Sequence, residues 1–284
     1  MTSADLPPPG MLTVPLDPLA PPTPALAVAA ALAGQAGLAV EVVAVPPVGL
    51  PAGAELDAAV AAARAAGAPA ALGVELGGPG GVVPALIGHV ADGDPLLVCM
   101  AARGRGALDD LRLGSVSAGV VHRSPVPVLL VGPGVRPGWG PARLVVACVD
   151  GSERSERALT AAARLAQRLA ADVMLLRVYG DGDVVDRAEL AGLRDLAART
   201  PGRRPQLAVI HDDDPAAGIA RVADPGPHTL VAVGTRGHGV LATAVLGSVA
   251  RRVTRLAACP VLAVPPTAGR PLPPRITRHA TAWA

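Results

Sequence analysis

The residues best suited to hold a ligand in this chain lie in the stretch GTRGHGVLATAVLGS, residues 234–248, which contains four glycines. A glycine costs backbone entropy, so it is expected where a positive φ or the close approach of another group requires it. The glycines lie between a predicted strand and a predicted helix, VARRVTRLAA. Because a helix N-terminus offers unpaired N–H groups and a partial positive charge, the stretch favours an anion such as a phosphate.

The sequence contains no lysine, so every permanently positive side chain is an arginine. This excludes a lysine nucleophile, a Schiff base and the lysine of a phosphate-binding P-loop. Anion binding at the glycine stretch must therefore rest on backbone N–H groups, which can form a concave nest, together with Ser248 and Arg236.

The composition limits the class of protein. With 284 residues, 51% of them hydrophobic and 17% charged, the chain can bury a large core, and two domains are favoured. A net charge of +2, with one Tyr, two Trp and no Phe, argues against nucleic acid as a partner. Three scattered cysteines in apolar surroundings, Cys99, Cys148 and Cys259, are typical of reduced thiols in a cytoplasmic protein rather than of disulfides or a zinc site.

Residues 18–40 carry no charged side chain, as is also true of many membrane-spanning segments. Prolines crowd one end and glycines interrupt the other, which leaves about ten helix-forming residues where a membrane span needs about 20. We expect a buried helix followed by a strand. The N-terminus lacks the basic and apolar regions of a secretory signal, so neither a signal peptide nor a membrane partner is predicted.

The chain repeats itself at a constant spacing of 133 residues. MLTVPLD at 11–17 resembles LVVACVD at 144–150, and LLVCMAARGRG at 96–106 resembles TLVAVGTRGHG at 229–239. LRLGSV and VPVLLV of the first copy likewise match AVLGSV and CPVLAV of the second. An unchanged offset over this length indicates two copies of one fold.

Each copy alternates apolar, strand-like runs with helical stretches. The predicted strands are 13–16, 38–45, 69–76, 95–101 and 126–131 in the first copy, and 144–149, 171–178, 205–210, 229–234 and 260–264 in the second. Their nearly continuous apolar character is typical of strands buried on both faces. The order predicts an α/β protein of two tandem Rossmann-like, doubly wound domains, each with a five-stranded parallel sheet flanked by helices.

The predicted boundaries follow from the repeat and from glycine and proline content. We expect a disordered segment at 1–10, a first domain at 11–131, a linker at 132–142, a second domain at 143–265 and a disordered tail at 266–284.

The ligand crevice of such a sheet lies beyond the carboxyl ends of its strands, where the strand order switches direction. Asp150 closes the first strand of the second copy and Gly234 closes the fourth. Gly237 then permits a tight turn, and Gly247 with Ser248 opens the last helix. The pattern GxxG alone is weak, since glycines after a strand also serve as a plain connection.

The full spacing, G-x2-G-x9-G-S after a fourth strand, together with VDGSERSERAL at the start of the same copy, resembles the nucleotide motif of the universal stress protein family. The resemblance covers both copies, so the chain looks like a tandem universal stress protein. It implies an adenine nucleotide, ATP, in the second copy, with a role for Mg left open. It also implies that the halves pair through their last strands as a dimer within one chain.

The resemblance also implies roles for individual residues of the second copy. Asp150 would hold the ribose, although residue type alone equally suits a helix-capping or loop carboxylate. The remaining implied contacts are, for adenine, Cys148, Val149 and Val178; for the nucleoside and phosphate path, Val233, Gly234 and Gly237; and for the phosphates, Gly247, Ser248 and Val249, with Arg236 nearby.

The first copy departs from this pattern. Ala101 stands in place of Gly234, where its methyl group would obstruct a ligand or forbid a positive φ, and Pro18 with Leu19 replaces Gly151 with Ser152. A second, weaker site remains, formed by Asp17, Val45, Gly104, Gly114 and Ser115. We expect the nucleotide mainly in the second copy.

Other polar clusters are less specific. His211 to Asp214 suits magnesium, but a loop whose Asp214 caps the next helix is favoured. His238 lies within the glycine loop, and the arginines of the last helix, residues 251, 252 and 255, fit a solvated or interface face. No catalytic residue and no metal site is predicted.

The function expected is that of a cytoplasmic, non-enzymatic, ATP-binding regulator of stress or dormancy, in which binding orders the loop between Gly237 and Gly247. The alternatives are an ATP-using enzyme that transfers an adenylyl or phosphoryl group through Asp212, Asp213 or His238, and an interaction module without nucleotide. Association of two chains and an unidentified regulatory protein partner are left open.

Overall fold

The computed structural model describes residues 10–18, 24–47, 49–78, 80–102, 113–180, 182–224, 228–235, 246–266 and 268. The segments predicted to be disordered, 1–10 and 266–284, lie almost wholly outside the described residues. The described residues also leave out four residues named above: Gly104, Arg236, Gly237 and His238.

Both halves have the alternating strand and helix order that the sequence predicts. The first half contains β1 (Met11–Leu16), α1 (Pro24–Ala36), β2 (Ala39–Ala44), α2 (Gly53–Ala65), β3 (Ala70–Glu75), α3 (Val82–Gly93), β4 (Leu97–Ala101), α4 (Ser115–Arg123) and β5 (Val128–Val131). The second half contains β6 (Leu144–Cys148), α5 (Glu153–Arg168), β7 (Asp172–Tyr179), α6 (Arg187–Arg199), β8 (Arg203–His211), α7 (Pro215–Ala223), β9 (Thr229–Gly234), α8 (Ser248–Leu256) and β10 (Val261–Val264).

The ten strands found among the described residues belong to one sheet, in the order β3-β2-β1-β4-β5-β10-β9-β6-β7-β8. Within each half every pairing is parallel, and the first strand lies between the second and the fourth. Strand order therefore changes direction between β1 and β4, and again between β6 and β9. Helices α1 and α2 contact each other, as do α3 with α4 and α7 with α8. The right-handed crossovers expected between parallel strands account for these pairs, because they place two successive helices on the same face of the sheet.

The core consists of the inner strands and the helix faces that cover them. All six residues of β2 and all four residues of β5 and of β10 are buried. Burial on both faces explains why these segments read as continuous apolar runs rather than as alternating patterns. The fold class predicted from the sequence is confirmed.

Residues 18–40 form a helix and the start of a strand, as expected. The described part is α1, in which seven of 13 residues are buried, followed by β2. Among the described residues, no helix combines the length and apolar character needed to cross a lipid bilayer.

The two halves meet where β5 pairs with β10. This is an antiparallel pair, with Leu129 opposite Leu262 and Leu130 opposite Val261. On the α1 side, the Gln35 side chain adds a polar link: its amide donates to the carbonyls of Ala142 and Leu169, at 2.7 and 2.6 Å, and its oxygen accepts from the Ala142 N–H. The pairing through last strands that the family resemblance implies is present.

The segment between β5 and β6 packs against the second half. Trp139 is buried, and its indole N–H donates to the carbonyl of Thr229 at 3.2 Å. Gly132 lies so close to α8 that a Cβ built on it falls 1.9 Å from the carbonyl oxygen of Thr254. A side chain at this position requires backbone movement at the junction.

Replacing Gly132 with Ala is expected to lower the free energy of unfolding by about 1–3 kcal/mol or more, because the new methyl overlaps the backbone of α8. Urea unfolding followed by circular dichroism measures the change. The matched control is Gly192→Ala inside α6, where a Cβ meets nothing within 4 Å and helix propensity favours Ala by about 1 kcal/mol. Equal midpoints for Gly132→Ala and the unmodified chain would contradict the close packing.

Candidate functional site

The second half presents a polar edge where its strand order switches. Val149 and Asp150 follow β6 directly, and Gly234 ends the neighbouring strand β9. Val178 lies near the end of β7, next to β6 on the other side. The structure therefore brings these sequence-predicted residues to the carboxyl ends of three adjacent strands, the position at which parallel α/β sheets bind ligands.

A hydrogen-bonded turn connects β6 to α5. Gly151 adopts a φ of +80°, which a glycine accepts without strain. The Asp150 carboxylate accepts from the Ser152 N–H at 3.0 Å and from the Ser152 hydroxyl at 2.6 Å. Ser152 in turn caps α5, since its hydroxyl oxygen accepts from the Ser155 N–H at 3.2 Å. Ser152 is therefore the N-cap residue of α5.

Ser155 completes this turn from within the first turn of α5. It is buried, its hydroxyl donates to the Ser152 carbonyl at 2.8 Å, and its oxygen accepts from the Asp150 N–H at 3.2 Å. Asp150 thus takes part in the network that starts α5, which is the loop-carboxylate alternative weighed from the sequence. The same bonds fix the direction of its half-buried side chain at the sheet edge.

Gly234 has a different neighbour from the one predicted. Its φ is not positive, and a Cβ built on it meets the Arg154 carbonyl at 3.3 Å and the Ser155 nitrogen at 3.6 Å. The glycine therefore allows the backbone of α5 to approach the end of β9. The interpretation based on a positive φ at this residue is wrong. The place of Gly234 on the nucleoside and phosphate path stays a prediction.

The N-terminus of α8 has no side-chain cap among the described residues. Gly247 is the N-cap residue, and its own N–H donates to the Thr235 carbonyl at 2.6 Å, which joins the two ends of the glycine loop. Ser248 and Val249 are exposed on the first turn. The main-chain donors that remain at this end are those of residues 248–250.

The first half repeats part of this geometry. Gly114 is the N-cap residue of α4, its N–H donates to the Ala102 carbonyl at 3.0 Å, and Ser115 is exposed. Asp17 is exposed and Val45 is buried. Pro18, however, cannot reproduce the positive φ of Gly151, because its ring fixes φ near −65°. The turn after β1 must therefore differ from the turn after β6.

The acidic stretch after β8 is held by arginines. Asp214 caps α7 and pairs with Arg252 of α8, while Asp212 accepts from the Asp214 N–H and pairs with Arg221 at 2.9 Å. The cap predicted at Asp214 is confirmed. Within the part of the chain that the structure describes, no group of three or more His, Cys, Asp or Glu residues is arranged to hold a metal ion.

The three cysteines are free thiols. Burial raises the pKa of the Cys99 and Cys148 thiols well above the usual range, and it raises the pKa of Cys259 to about 12. Neutral thiols fit the interpretation of these residues as core positions.

Sequence reasoning missed one buried polar cluster, formed by Thr13, Glu41 and His89 in the first half. The signal was available, because the repeat offset places Val146, Met174 and Val222 at the corresponding positions of the second half. Comparing the two copies position by position shows three polar residues where the second copy has apolar ones, but only the fold shows that the three meet.

Comparison with known proteins agrees with the fold and the repeat. The model of the universal stress protein family matches residues 11–132 and 142–265. Universal stress protein Rv2623 of Mycobacterium tuberculosis is 32% identical over 199 residues, which cover 65% of this chain and 65% of that protein. A universal stress protein of Mycolicibacterium smegmatis is 32% identical over 183 residues, 60% of this chain and 62% of that protein. The chain thus spans less than two thirds of the length of these relatives.

Solved structures share the architecture at low sequence identity. The protein PA1789 of Pseudomonas aeruginosa matches with a TM-score of 0.66 and 18% identity, over 90% of this chain and 92% of that chain. A universal stress protein of Archaeoglobus fulgidus matches with a TM-score of 0.61 and 21% identity, over 89% of this chain and 98% of that chain.

The paired doubly wound halves and their glycine-rich strand ends define a protein with two tandem α/β domains of one type. The chain belongs to the universal stress protein family.

Replacing Ser152 with Ala is expected to lower the free energy of unfolding by about 0.5–2 kcal/mol, because it removes the cap of α5 and one hydrogen bond to Asp150. Chemical denaturation measures the loss. Ser248→Ala is the comparison, since that hydroxyl caps no helix and its loss should change stability by less than about 0.5 kcal/mol. Equal effects of the two substitutions would argue against the cap.

Proposed function

We propose that this chain is an ATP-binding universal stress protein that regulates a stress or dormancy response without catalysing a reaction. The observation that supports it most is the pairing of two features at the edge of the second half. Asp150 is oriented by Ser152 at the end of β6. The N-terminus of α8, which no described side chain caps, follows the neighbouring strand β9. One feature suits a ribose hydroxyl and the other suits a phosphate.

In this proposal the ribose binds to Asp150 and the adenine lies against Cys148, Val149 and Val178. The phosphates lie at the start of α8, where the N–H groups of residues 248–250 and the Ser248 hydroxyl donate to them. Gly237 and Arg236 complete the phosphate path on the family pattern.

The second half is the preferred site because of the turn after its first strand. Gly151 and Ser152 give that turn a positive φ and a cap, and Pro18 and Leu19 cannot supply either. Gly114 and Ser115 still offer a helix N-terminus in the first half, so a weaker second site there is retained in the proposal.

The proposed organisation is a first domain at 11–131, a linker at 132–142 and a second domain at 143–265. Pairing of β5 with β10 makes the two domains a dimer within one chain, and association of two chains remains part of the proposal. A regulatory protein that reads the nucleotide state is the proposed partner, and the cytoplasm is the proposed location.

The alternative of an ATP-using enzyme is less well supported, because it needs a charged side chain that is free to act as a general base. The Asp212 carboxylate is bound to Arg221 and to a backbone N–H, so it is poorly placed to act as a general base. We therefore propose that any ATP hydrolysis is slow and incidental.

Isothermal titration with ATP tests the binding site. The double variant Asp150→Asn with Ser248→Ala is expected to weaken binding by about tenfold or more, because it removes a charge and a phosphate donor. The matched control is Asp17→Asn with Ser115→Ala, which changes the equivalent positions of the first half and should leave the main binding event in place.

Equal losses in both double variants would contradict the preference for the second half. Absence of ATP binding to the unmodified chain, together with no nucleotide in the small molecules released from freshly purified protein, would favour an interaction module. Turnover of ATP with magnesium at ordinary enzymatic rates, about 1 s⁻¹ or faster, would favour the enzyme.

A further inference from the structure

A buried polar cluster connects α3 to the sheet of the first half. Glu41 lies in the middle of β2 and is 5% exposed. One of its carboxylate oxygens accepts from the hydroxyl of Thr13 on β1 at 3.0 Å. The other lies 3.0 Å from Nε2 of His89, on α3. The buried carboxylate of Glu41 thus joins β2 to Thr13 of β1 and to His89 of α3.

The second half lacks this cluster although it has the same fold. At the same register, Val146 lies opposite Met174 on β6 and β7, just as Thr13 lies opposite Glu41 on β1 and β2. Val222 of α7 takes the place of His89, and Met174 and Val222 both pack against the apolar core. The fold therefore does not require polar groups here. The first half has exchanged an apolar contact for an ionisable one.

A buried carboxylate is costly unless it is paired and hydrogen-bonded, so removal of either partner leaves an expensive group in the core. The hydrogen bond that His89 donates to the Glu41 carboxylate raises the pKa of His89, partial burial lowers it, and the charges of Glu41 and Asp92 raise it further, with a net upward direction. The helix packed against α3 is α4, which carries His122 and Arg123 in its last turn, and β1 contributes the neutral Thr13. Glu41 and Asp92 are the charges that act on His89.

We propose that Thr13, Glu41 and His89 form a proton-dependent clamp that holds α3 on the sheet, so that the first half, and not the second, responds to pH near neutrality. With His89 protonated, the clamp is an ion pair between the buried Glu41 carboxylate and the partly exposed imidazolium of His89. With His89 neutral, the Glu41 carboxylate loses its counter-charge and the hold on α3 weakens.

The direction of the response follows from the raised pKa of His89. The stabilisation is fully present below the unfolded value of about 6.5 and is lost as pH rises through the higher folded value. Lowering the pH through neutrality therefore strengthens the attachment of α3 to the sheet. Because a Cβ on Gly119 of α4 would lie 2.8 Å from Val83 of α3, the two helices are in close contact and α4 is expected to follow.

Amide hydrogen exchange with mass spectrometry on the full chain tests the clamp between about pH 6 and about pH 8.5, with rates divided by intrinsic exchange. In the unmodified protein, protection of α3 peptides is expected to fall as pH rises. The triple variant Thr13→Val, Glu41→Met, His89→Val installs the residues of the second half and should lose this fall. Peptides from α7 are the internal control and should show no such trend in either protein.

A flat protection profile for α3 in the unmodified chain, or the same decline in the triple variant, would overturn the proposal. Glu41→Gln keeps the shape of the side chain and provides a second measurement if the triple variant does not fold. The pKa of His89, followed by NMR, should lie above about 6.5 in the unmodified protein and drop in Glu41→Gln. An unchanged value would also refute the clamp.

Discussion

The antiparallel pairing of β5 with β10 is the interaction on which the rest of the structure depends. Each half alone would end in a strand of four buried apolar residues with an unpaired row of backbone groups, an edge that invites aggregation. Joining the two edges removes both at once and makes one ten-stranded sheet. The contacts of Gln35 and Gly132 across the junction are possible only because this ladder brings the halves together.

A shared sheet lets two copies of one fold differ in their local structure. The second half has the glycine and serine that build the turn between β6 and α5, which orients the Asp150 carboxylate at the sheet edge. The first half has lost that turn at Pro18 but carries an ionisable cluster around Glu41. Since each half is stabilised by its partner, the substitutions that separate them need not be tolerated by an isolated domain.

The absence of lysine shapes the chemistry of the candidate site. Arg221 of α7 and Arg252 of α8 are paired with Asp212 and Asp214, which reduces their capacity to attract a ligand's charge. Binding of an anion at this edge would therefore depend on the dipole and N–H groups of α8. The hydrogen bond from the Gly247 N–H to the Thr235 carbonyl fixes the position of that helix end. Main-chain donors of this kind bind a ligand without ordering a side chain, but the two ends of the loop that carries them must be held rigidly.

The sequence by itself determined the repeat, the alternation of strands and helices, and the cap at Asp214, because these depend on apolar periodicity and on hydrogen bonds between residues three positions apart. Only the tertiary structure decided that Gly234 faces the backbone of Arg154 and that Glu41 meets His89. These partners are distant in the chain, and their meeting depends on strand order and helix placement, which no local pattern encodes. The turn at Asp150 and Ser152 could be foreseen because its hydrogen bonds are local, whereas the cluster around Glu41 needed the fold to assemble it.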